Sequence, residues 1–556
     1  MLTTVARRLS EKGTTTKGSV PATPSSERTR LRATRLRAVS AFGLVAVLLA
    51  VLVTADRCRR GTGPAEANAS ARVRTPIATG QYYPGEPEAL KAELKRCLSA
   101  ADAAAAAPKP EGELIALIVP HSAYKLCGVV AADAYRLLEG KHYDTVVIVG
   151  PSHMTPFEGV ALSENDIWRT PLGDVTVDGS VGEALRARGV DVRFAPDAER
   201  TERSIEVELP FLQEMLTDFK IAPLLMRDSS RPNALTLAAA LADWGRGRSV
   251  LFVASSELGQ FMPRAAAAEI DRQTLAAIQT LDVEEVARTT ARLGAKFVPS
   301  LASVTCGEGP LMAVLATALL LGGDRAVVLG YTNSEEVSGG AADQVFGYGA
   351  VAIYRSRAPV GEPGRSDRPE LTARHQKRLL EAARGAVEAE VQGRRTTAET
   401  PETDERLAAP AAAFVTLWKG GQLRGSCQSL DDSKALIETV REHAAAAARD
   451  PRFPRPKETD LGDLEIRIQV LSPLRKIEEP REIDLLREGV VVVAGGQRNF
   501  FLPEVARDTG WSREKLLSRL CEDKMGLSPN AWREGASIYA FTVQEIRSGR
   551  PATAGG

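Results

Sequence analysis

The sequence predicts an α/β fold. A three-layer domain built on a mainly parallel sheet comes first, then a separate α+β domain, with a single transmembrane helix ahead of both. Three observations carry that expectation. Leu114–Val119 (LIALIV) and Thr145–Val149 (TVVIV) are unbroken runs of branched apolar residues, the pattern of strands covered on both faces. Gly128–Leu138 (GVVAADAYRLL) lies between them with helical apolar spacing, which completes a right-handed βαβ crossover. Beyond residue 410 the pattern changes. Ala412–Trp418, Gly420-Gly421 and Gln422–Arg424 read as a hairpin, and Leu464–Leu471 (LEIRIQVL) alternates as a strand with one wet face does. Finally, Ala38–Ala55 is an uncharged apolar run of 18 residues, long enough to span a bilayer.

At 556 residues the chain can form two or three cores, and 44% hydrophobic with 26% charged residues is a globular composition. Lys+Arg and Asp+Glu balance at 71 each, so no overall charge points to nucleic acid. The six cysteines form no CxxC pair and leave the redox compartment open.

Taken in order, residues 1–37 are rich in Arg, Ser and Thr and read as a disordered basic N-terminus. Arg28, Arg30, Arg32, Arg35 and Arg37 precede the apolar run at 38–55, so the expected topology is a single-pass anchor in the cell membrane with the globular part outside the cytoplasm. A secretory signal peptide is the rival reading, although no clean small-x-small cleavage site follows. Residues 56–80 read as a polar linker, and the first domain spans 81–357. Within it, Glu86–Leu98 is a helix, Thr170–Asp174 a turn, and Ser204–Leu212 opens a helix with Glu206 and Glu208 near its start. Lys220–Leu225 and Ser249–Ser256 are strands, Leu235–Trp244 is a helix, and Leu311–Leu321 is a helix entered through the glycine-rich loop Thr305–Pro310. Residues 358–369 are a Pro/Gly linker. The second domain spans 370–548, with a helix over Glu370–Val391, a mobile loop over 393–408, a helix over Lys434–Ala448 and a last strand at Ser537–Thr542.

The chemistry concentrates at strand ends. Each of the two apolar runs in the first domain stops at a proline and then presents a histidine, His121 or His153. In an open α/β sheet that edge is where ligand crevices form. The chain has only five histidines, so two arriving this way is a meaningful pattern, although a histidine there can also simply close a turn. Cys306 lies in the glycine-rich loop at a helix start, where a thiolate is stabilised. Two imidazoles and a thiolate suit Fe, Cu or Zn with one position open, against the plain alternative of a packed, inert cysteine.

PHSAYKLCG, GPSHM, TPLGDVTVD, SIEVELPFLQ, VASSEL and TCGEGP, in that order over 112–355, resemble the Memo family. This is protein B of the AmmeMemoRadiSam system, similar in fold to the LigB subunit of class III extradiol dioxygenases. The resemblance implies that His121, His153 and Cys306 form one metal site taking iron, as Fe(II), or copper. It also implies where this chain departs from its relatives. The family's usual His before the SIEV segment is Arg203 here, and the acidic residue that some members carry three positions earlier falls near Arg200. The family's Ser-Ser-Asp-x-x-His is Ser255-Ser256-Glu257-Leu258-Gly259-Gln260. Arg203 stays protonated and Gln260 cannot shuttle a proton. Glu257 is then either the candidate base or only a cap at the strand end, with Arg203, Gln260 and Ser256 as the groups expected around the ligands. Cys127, where a Ser is usual, is either an extra sulfur or a packed helical residue.

LRGSCQSL, AARDPRFPRP, LEIRIQVLSP, RNFFLPEVA and the spaced Trp511, Cys521, Gly526 and Trp532 resemble the AMMECR family, protein A of the same system. Its usual Leu-Arg-Gly-Cys-Ile-Gly turn is Leu423-Arg424-Gly425-Ser426-Cys427-Gln428 here, so the cysteine is displaced by one place, to the opposite face of a strand. Arg424 is either an anion contact or a solvated turn residue.

Together these expectations describe a membrane-anchored AmmeMemoRadiSam-type protein with one Fe or Cu ion and a redox or dioxygenase-like reaction on an unnamed small molecule. The alternative is a metal-binding or scaffold protein of the same system without turnover. The expected partner is the system's radical-SAM protein, and nucleic acid is not expected.

Overall fold

A computed structural model describes residues 71–104, 111–297, 303–339, 344–356, 370–394 and 402–548. The main sheet has eight strands: β1 (Glu113–Val119), β2 (Thr145–Pro151), β3 (Val160–Leu162), β4 (Val192–Phe194), β5 (Lys220–Met226), β6 (Val250–Ser255), β7 (Arg325–Asn333) and β8 (Gly347–Arg355). Their spatial order is β7-β8-β1-β6-β2-β5-β3-β4. The central pairs β1–β6, β6–β2 and β2–β5 are parallel. β7–β8, β8–β1 and β5–β3 are antiparallel.

Successive side chains on these strands enter opposite cores. Val147, Val149 and Phe252 pack on one side with the helices α3 (Arg231–Gly245) and α5 (Glu308–Leu320). Val146, Ile148, Leu251 and Val253 pack on the other with α1 (Pro87–Ala104) and α2 (Tyr124–Tyr135). Burial on both faces is why these strands read as continuous apolar runs. Between α3 and α5 in the chain lies α4 (Val283–Phe297).

The second domain is built on a seven-stranded sheet: β9 (Ala413–Lys419), β10 (Gln422–Gln428), β11 (Glu465–Leu471), β12 (Arg475–Ile477), β13 (Glu488–Ala494), β14 (Gln497–Phe501) and β15 (Ser537–Arg547). Helices α6 (Ala373–Val391) and α7 (Leu436–Ala448) cover one face through Leu379, Val387, Ile437 and Val440. The β9–β10 hairpin turns through Gly420 and Gly421, with φ of 57° and 76°, the left-handed pair that a tight hairpin of this hand needs. Helices α8 (Pro503–Thr509) and α9 (Arg513–Arg519) complete the domain.

Several expectations need correcting. Among the described residues no helix is long and apolar enough to cross a membrane, against the single transmembrane helix expected in the fold. The segment on which it was placed, 38–55, lies outside the described residues, as do the basic N-terminus 1–37 and the linker 358–369. The polar linker expected over 56–80 gives way to structure by Val73. Val73 and Arg74 pair with Ile167 and Trp168, because Arg74 is drawn into a buried ionic cluster. Part of the loop expected over 393–408 is the short helix Glu405–Ala408, capped by Asp404. Nor is the second domain separate in packing. One apolar core runs from Leu235 and Val283 through to Leu485, Leu516 and Leu517. Gly510 has φ of 66°, and a Cβ there would come within 2.8 Å of Leu235 Cδ2 and 3.0 Å of Val283 Cβ, so backbone and packing together favour glycine. In the sequence these apolar residues look like ordinary core positions, and nothing in their periodicity marks a second domain as what covers them.

Candidate metal centre

β1, β6 and β2 lie side by side and parallel, so their carboxyl ends share one rim. His121 follows β1, His153 follows β2, and β6 ends at Ser255. The fourth contributor is the turn before α5. Cys306 exchanges two backbone hydrogen bonds with Glu257, at 3.0 and 3.1 Å, which ties that turn to the end of β6. Gly307 then enters α5 with φ of 93°, and a Cβ there would lie 2.9 Å from the Ser255 carbonyl oxygen. The close approach that places Cys306 therefore requires glycine.

The three donor atoms of His121, His153 and Cys306 lie within 4.8 Å of one another. Bonds of about 2.0–2.3 Å to one ion would set two donors at most about 4.6 Å apart, so small side-chain rotations close the site. His121 and Cys306 are buried, at 6% and 8% exposure, while the His153 side chain is 36% exposed. The imidazole rings stand edge to face, with centroids 5.2 Å apart. His153 Nε2 is 2.9 Å from Cys306 Sγ. His121 Nε2 is buried without a hydrogen-bond partner of good geometry. An orphaned imidazole nitrogen beside a thiol is costly in a protein interior and is the arrangement a metal ion satisfies.

The outer nitrogens are held. His121 Nδ1 lies 2.9 Å from Ser255 Oγ, which itself donates to the Ser204 carbonyl at 2.8 Å. His153 Nδ1 lies 3.0 Å from both carboxylate oxygens of Glu202, and the His153 backbone N–H donates to Oε2 at 2.7 Å. Glu202 Oε1 also accepts from the Arg203 and Ser204 backbone N–H groups at 2.8 and 2.9 Å. With Nδ1–H donated outward, each imidazole presents Nε2 to the centre, which is how a protein orients a ligating histidine.

The charges respond to this packing. Burial opposes the imidazolium of His153, but the Cys306 sulfur and the Glu202 carboxylate outweigh it and raise the group from 6.5 to about 10. Burial likewise opposes the His121 cation, and Glu257 with Cys306 raises it to about 9. Burial raises the Cys306 thiol, but the two imidazoles bring it down to about 7. Burial also opposes ionisation of Glu202, and His153 holds it down at about 2. The His153–Glu202 pair therefore stabilises the metal-free fold fully between the ordinary values of 4.5 and 6.5. That contribution fades as pH falls towards about 2 or rises through about 10.

A metal must expel the imidazole protons, so affinity for it is expected to rise with pH up to about 10. Glu202→Gln no longer holds the His153 proton. The rise is then expected to move to lower pH, while the plateau affinity falls about 10–100-fold as the ring loses its orienting partner. Competition titrations against a chromophoric chelator at several pH values measure both shifts. An unmoved pH profile would remove Glu202 from the centre.

The remaining expected site residues are placed as follows. Glu257 is buried beside His121, and its Oε2 accepts from Gln260 Nε2 at 3.0 Å. Ser256 Oγ donates to the Cys306 carbonyl at 2.9 Å and so braces the cysteine turn. The Arg203 side chain turns away over the Tyr82 ring, 5.4 Å from its centroid. Cys127 is buried on α2, with its sulfur 3.3 Å from the Ser122 carbonyl oxygen. Arg424, Ser426 and Cys427 are not in a turn. They lie on β10 in the second sheet, where Ser426 and Cys427 pair with Thr416 and Val415 and Arg424 stands at a bulge, the register opposite β9 shifting between Leu417 and Trp418. Arg424 bonds Gln422, the Ser426 N–H donates to Asp450, and Cys427 packs against the second domain's core.

The family model for Memo-like proteins matches residues 74–352, which contain every residue of this centre. The chain belongs to the Memo family. A second family model, AMMECR1, matches residues 380–546, so a Memo domain and an AMMECR1 domain stand in tandem. A MEMO1 family protein of Methanosarcina barkeri is 34% identical over 284 residues, covering 50% of this chain and all of that protein. One from Archaeoglobus fulgidus is 33% identical over 285 residues, covering 50% of this chain and 99% of its own length. An uncharacterized Pyrococcus horikoshii protein of solved structure is 30% identical, covering 31% of this chain and 91% of that one, with a TM-score of 0.28.

Reasoning from the sequence missed Glu202 and Ser255 as the groups that orient the Memo domain's two histidines. Glu202 directly precedes Arg203, the position where the family's usual histidine is replaced. A carboxylate behind a ligating imidazole is a common arrangement, and an acidic residue at this place is the signal for it.

Proposed function

We propose that His121, His153 and Cys306 hold one iron or copper ion and that this Memo protein supports a redox reaction of the dioxygenase-like class on a small molecule. The observation that carries this reading is the convergence of two Nε2 atoms and one sulfur within 4.8 Å, with both outer nitrogens already held. Such an ion supplies a Lewis-acidic, redox-active centre with an open coordination position. The chain's own groups do the rest. Glu202 and Ser255 fix the imidazole tautomers, Ser256 braces the cysteine turn, and the exposed side of His153 leaves an approach from solvent. Glu257 is the buried carboxylate available as a base. The tandem AMMECR1 domain supports a place in the AmmeMemoRadiSam system, with its radical-SAM protein as partner.

One observation favours a second reading, metal binding without turnover. The Gln260 amide donates to Glu257 and so engages the carboxylate read here as the base. Elemental analysis of anaerobically purified protein is expected to find about one metal per chain in wild type and none in His121→Ala. Oxygen uptake with catechol-type compounds separates the two readings. Absence of uptake by loaded protein leaves binding alone, and absence of metal sinks both.

A further inference from the structure

The Memo and AMMECR1 domains share more than an apolar contact. The C-terminal domain grips the first turn of α4 with a set of polar bonds. Lys515 Nζ lies 2.8 Å from both Asp282 Oδ2 and Glu284 Oε2. Trp511 Nε1–H donates to Glu284 Oε2 at 2.6 Å, and the Val283 N–H donates to the Gly510 carbonyl at 3.4 Å. All of these sit at one end of a 15-residue helix, about 22 Å long. The other half of that helix holds the residues flanking Cys306. Thr290 Oγ1 donates to Glu308 Oε1 at 2.6 Å, two residues after the cysteine. Leu293 shares a buried cluster with Val304, two residues before it. Gly294 lies close enough that a Cβ there would touch Val304 at 3.8 Å.

We propose that Lys515 and Trp511 of the AMMECR1 domain are positioning residues for the metal centre, acting through α4 on the Cys306 turn. The physical argument is that a helix transmits displacement as a rigid rod, while the 303–307 turn is fastened on its other side to a single segment, 256–260. The Glu257 backbone pair, the Gln260 N–H to the Ser303 carbonyl, the Thr305 hydroxyl to the Glu257 carbonyl and the Ser256 hydroxyl hold it there. Releasing the first turn of α4 lets its far half shift, and Thr290 and Leu293 carry that shift to both sides of the sulfur. Ligand atoms need sub-ångström placement, so a small shift there costs affinity. A second interdomain ion pair provides the control. Arg246 bonds Asp484 at 2.8 Å just beyond the C-terminal end of α3, and Gly245 beside it approaches Leu321 at the far end of α5 from Cys306. It fastens the same two domains without touching α4.

This inference rests on the metal reading above for its two cobalt readouts only. Full-length wild type, the double variant Lys515→Met/Trp511→Phe, and Arg246→Met are titrated with Co(II), whose thiolate charge-transfer band reports the sulfur bond. Hydrogen exchange of the 305–311 amides is followed in the same metal-free samples. The double variant is expected to lose about tenfold in Co(II) affinity, to shift the thiolate band, and to exchange faster at 305–311. Arg246→Met is expected to match wild type in all three. Wild-type behaviour of the double variant, or equal losses in Arg246→Met, overturns the proposal. If wild type binds no cobalt, the metal reading fails by itself. Exchange at 305–311 then decides the positioning role, faster exchange in the double variant alone upholding it and unchanged exchange overturning it.

Discussion

Glu206→Leu is expected to destabilise the fold by about 3–5 kcal/mol, the cost of leaving one member of a buried ion pair alone. Glu206 is fully buried, and its carboxylate accepts from Arg74 Nη1 at 2.6 Å, from the Ile77 and Ala78 backbone N–H groups at 2.9 and 2.8 Å, and from the Tyr83 hydroxyl at 2.7 Å. Leucine fills the volume and satisfies none of these. Arg74 would stay buried, with its Nη2 still bonded to the Glu199 and Glu202 carbonyls at 3.2 and 2.8 Å. Urea or thermal unfolding measures the loss. The double variant Arg74→Met/Glu206→Leu is expected to recover part of it, because the orphaned cation is gone while two backbone N–H groups still lack an acceptor. A single-variant loss below about 1 kcal/mol would mean that water reaches the pocket. The effect extends to the centre, since Arg74 holds the backbone segment that presents Glu202 to His153.

Cys306→Ser is expected to weaken metal binding by more than about 100-fold, beyond what the loss of an outer partner costs, and to abolish any thiolate charge-transfer absorption. The fold should change little. The backbone pair between residues 306 and 257 does not involve the side chain, and the Ser256 hydroxyl still reaches the carbonyl at 306. Thermal unfolding without metal is the control. Retained stability with lost binding assigns the sulfur to the ion, whereas retained binding would show that the two imidazoles suffice. The pair of measurements matters because Cys306 is also a hydrogen-bond partner of His153.

The Memo-domain sheet was legible because its central strands are buried on both faces, which leaves a signature that no wet strand shares. His121 and His153 were legible because each follows such a strand directly. Cys306 was not legible from spacing alone. It reaches the rim through a bridge to Glu257 that joins residues 49 positions apart in the chain; its loop at a helix start marked it as a candidate, and the family resemblance tied it to the two histidines. Glu202, Ser255 and Arg74 were invisible for a related reason. Their work is done by hydrogen bonds to side chains and backbone remote in the sequence, and bonds of that kind leave no period or motif. Arg74 in particular reads as one more charge in a polar stretch. The docking of the second domain was also hidden, because Gly510, Trp511 and Lys515 look like an ordinary helix-to-helix turn until α4 is seen beneath them.

The uneven covering of the three donors sets a direction of traffic. His121 and Cys306 are sealed beneath the rim, so an arriving ion, a competing chelator or a small reactant must meet His153 first. Loading and stripping should therefore share one route, and a bulky group attached beside His153, at the exposed Met154, would slow both equally while leaving the equilibrium between them where it was.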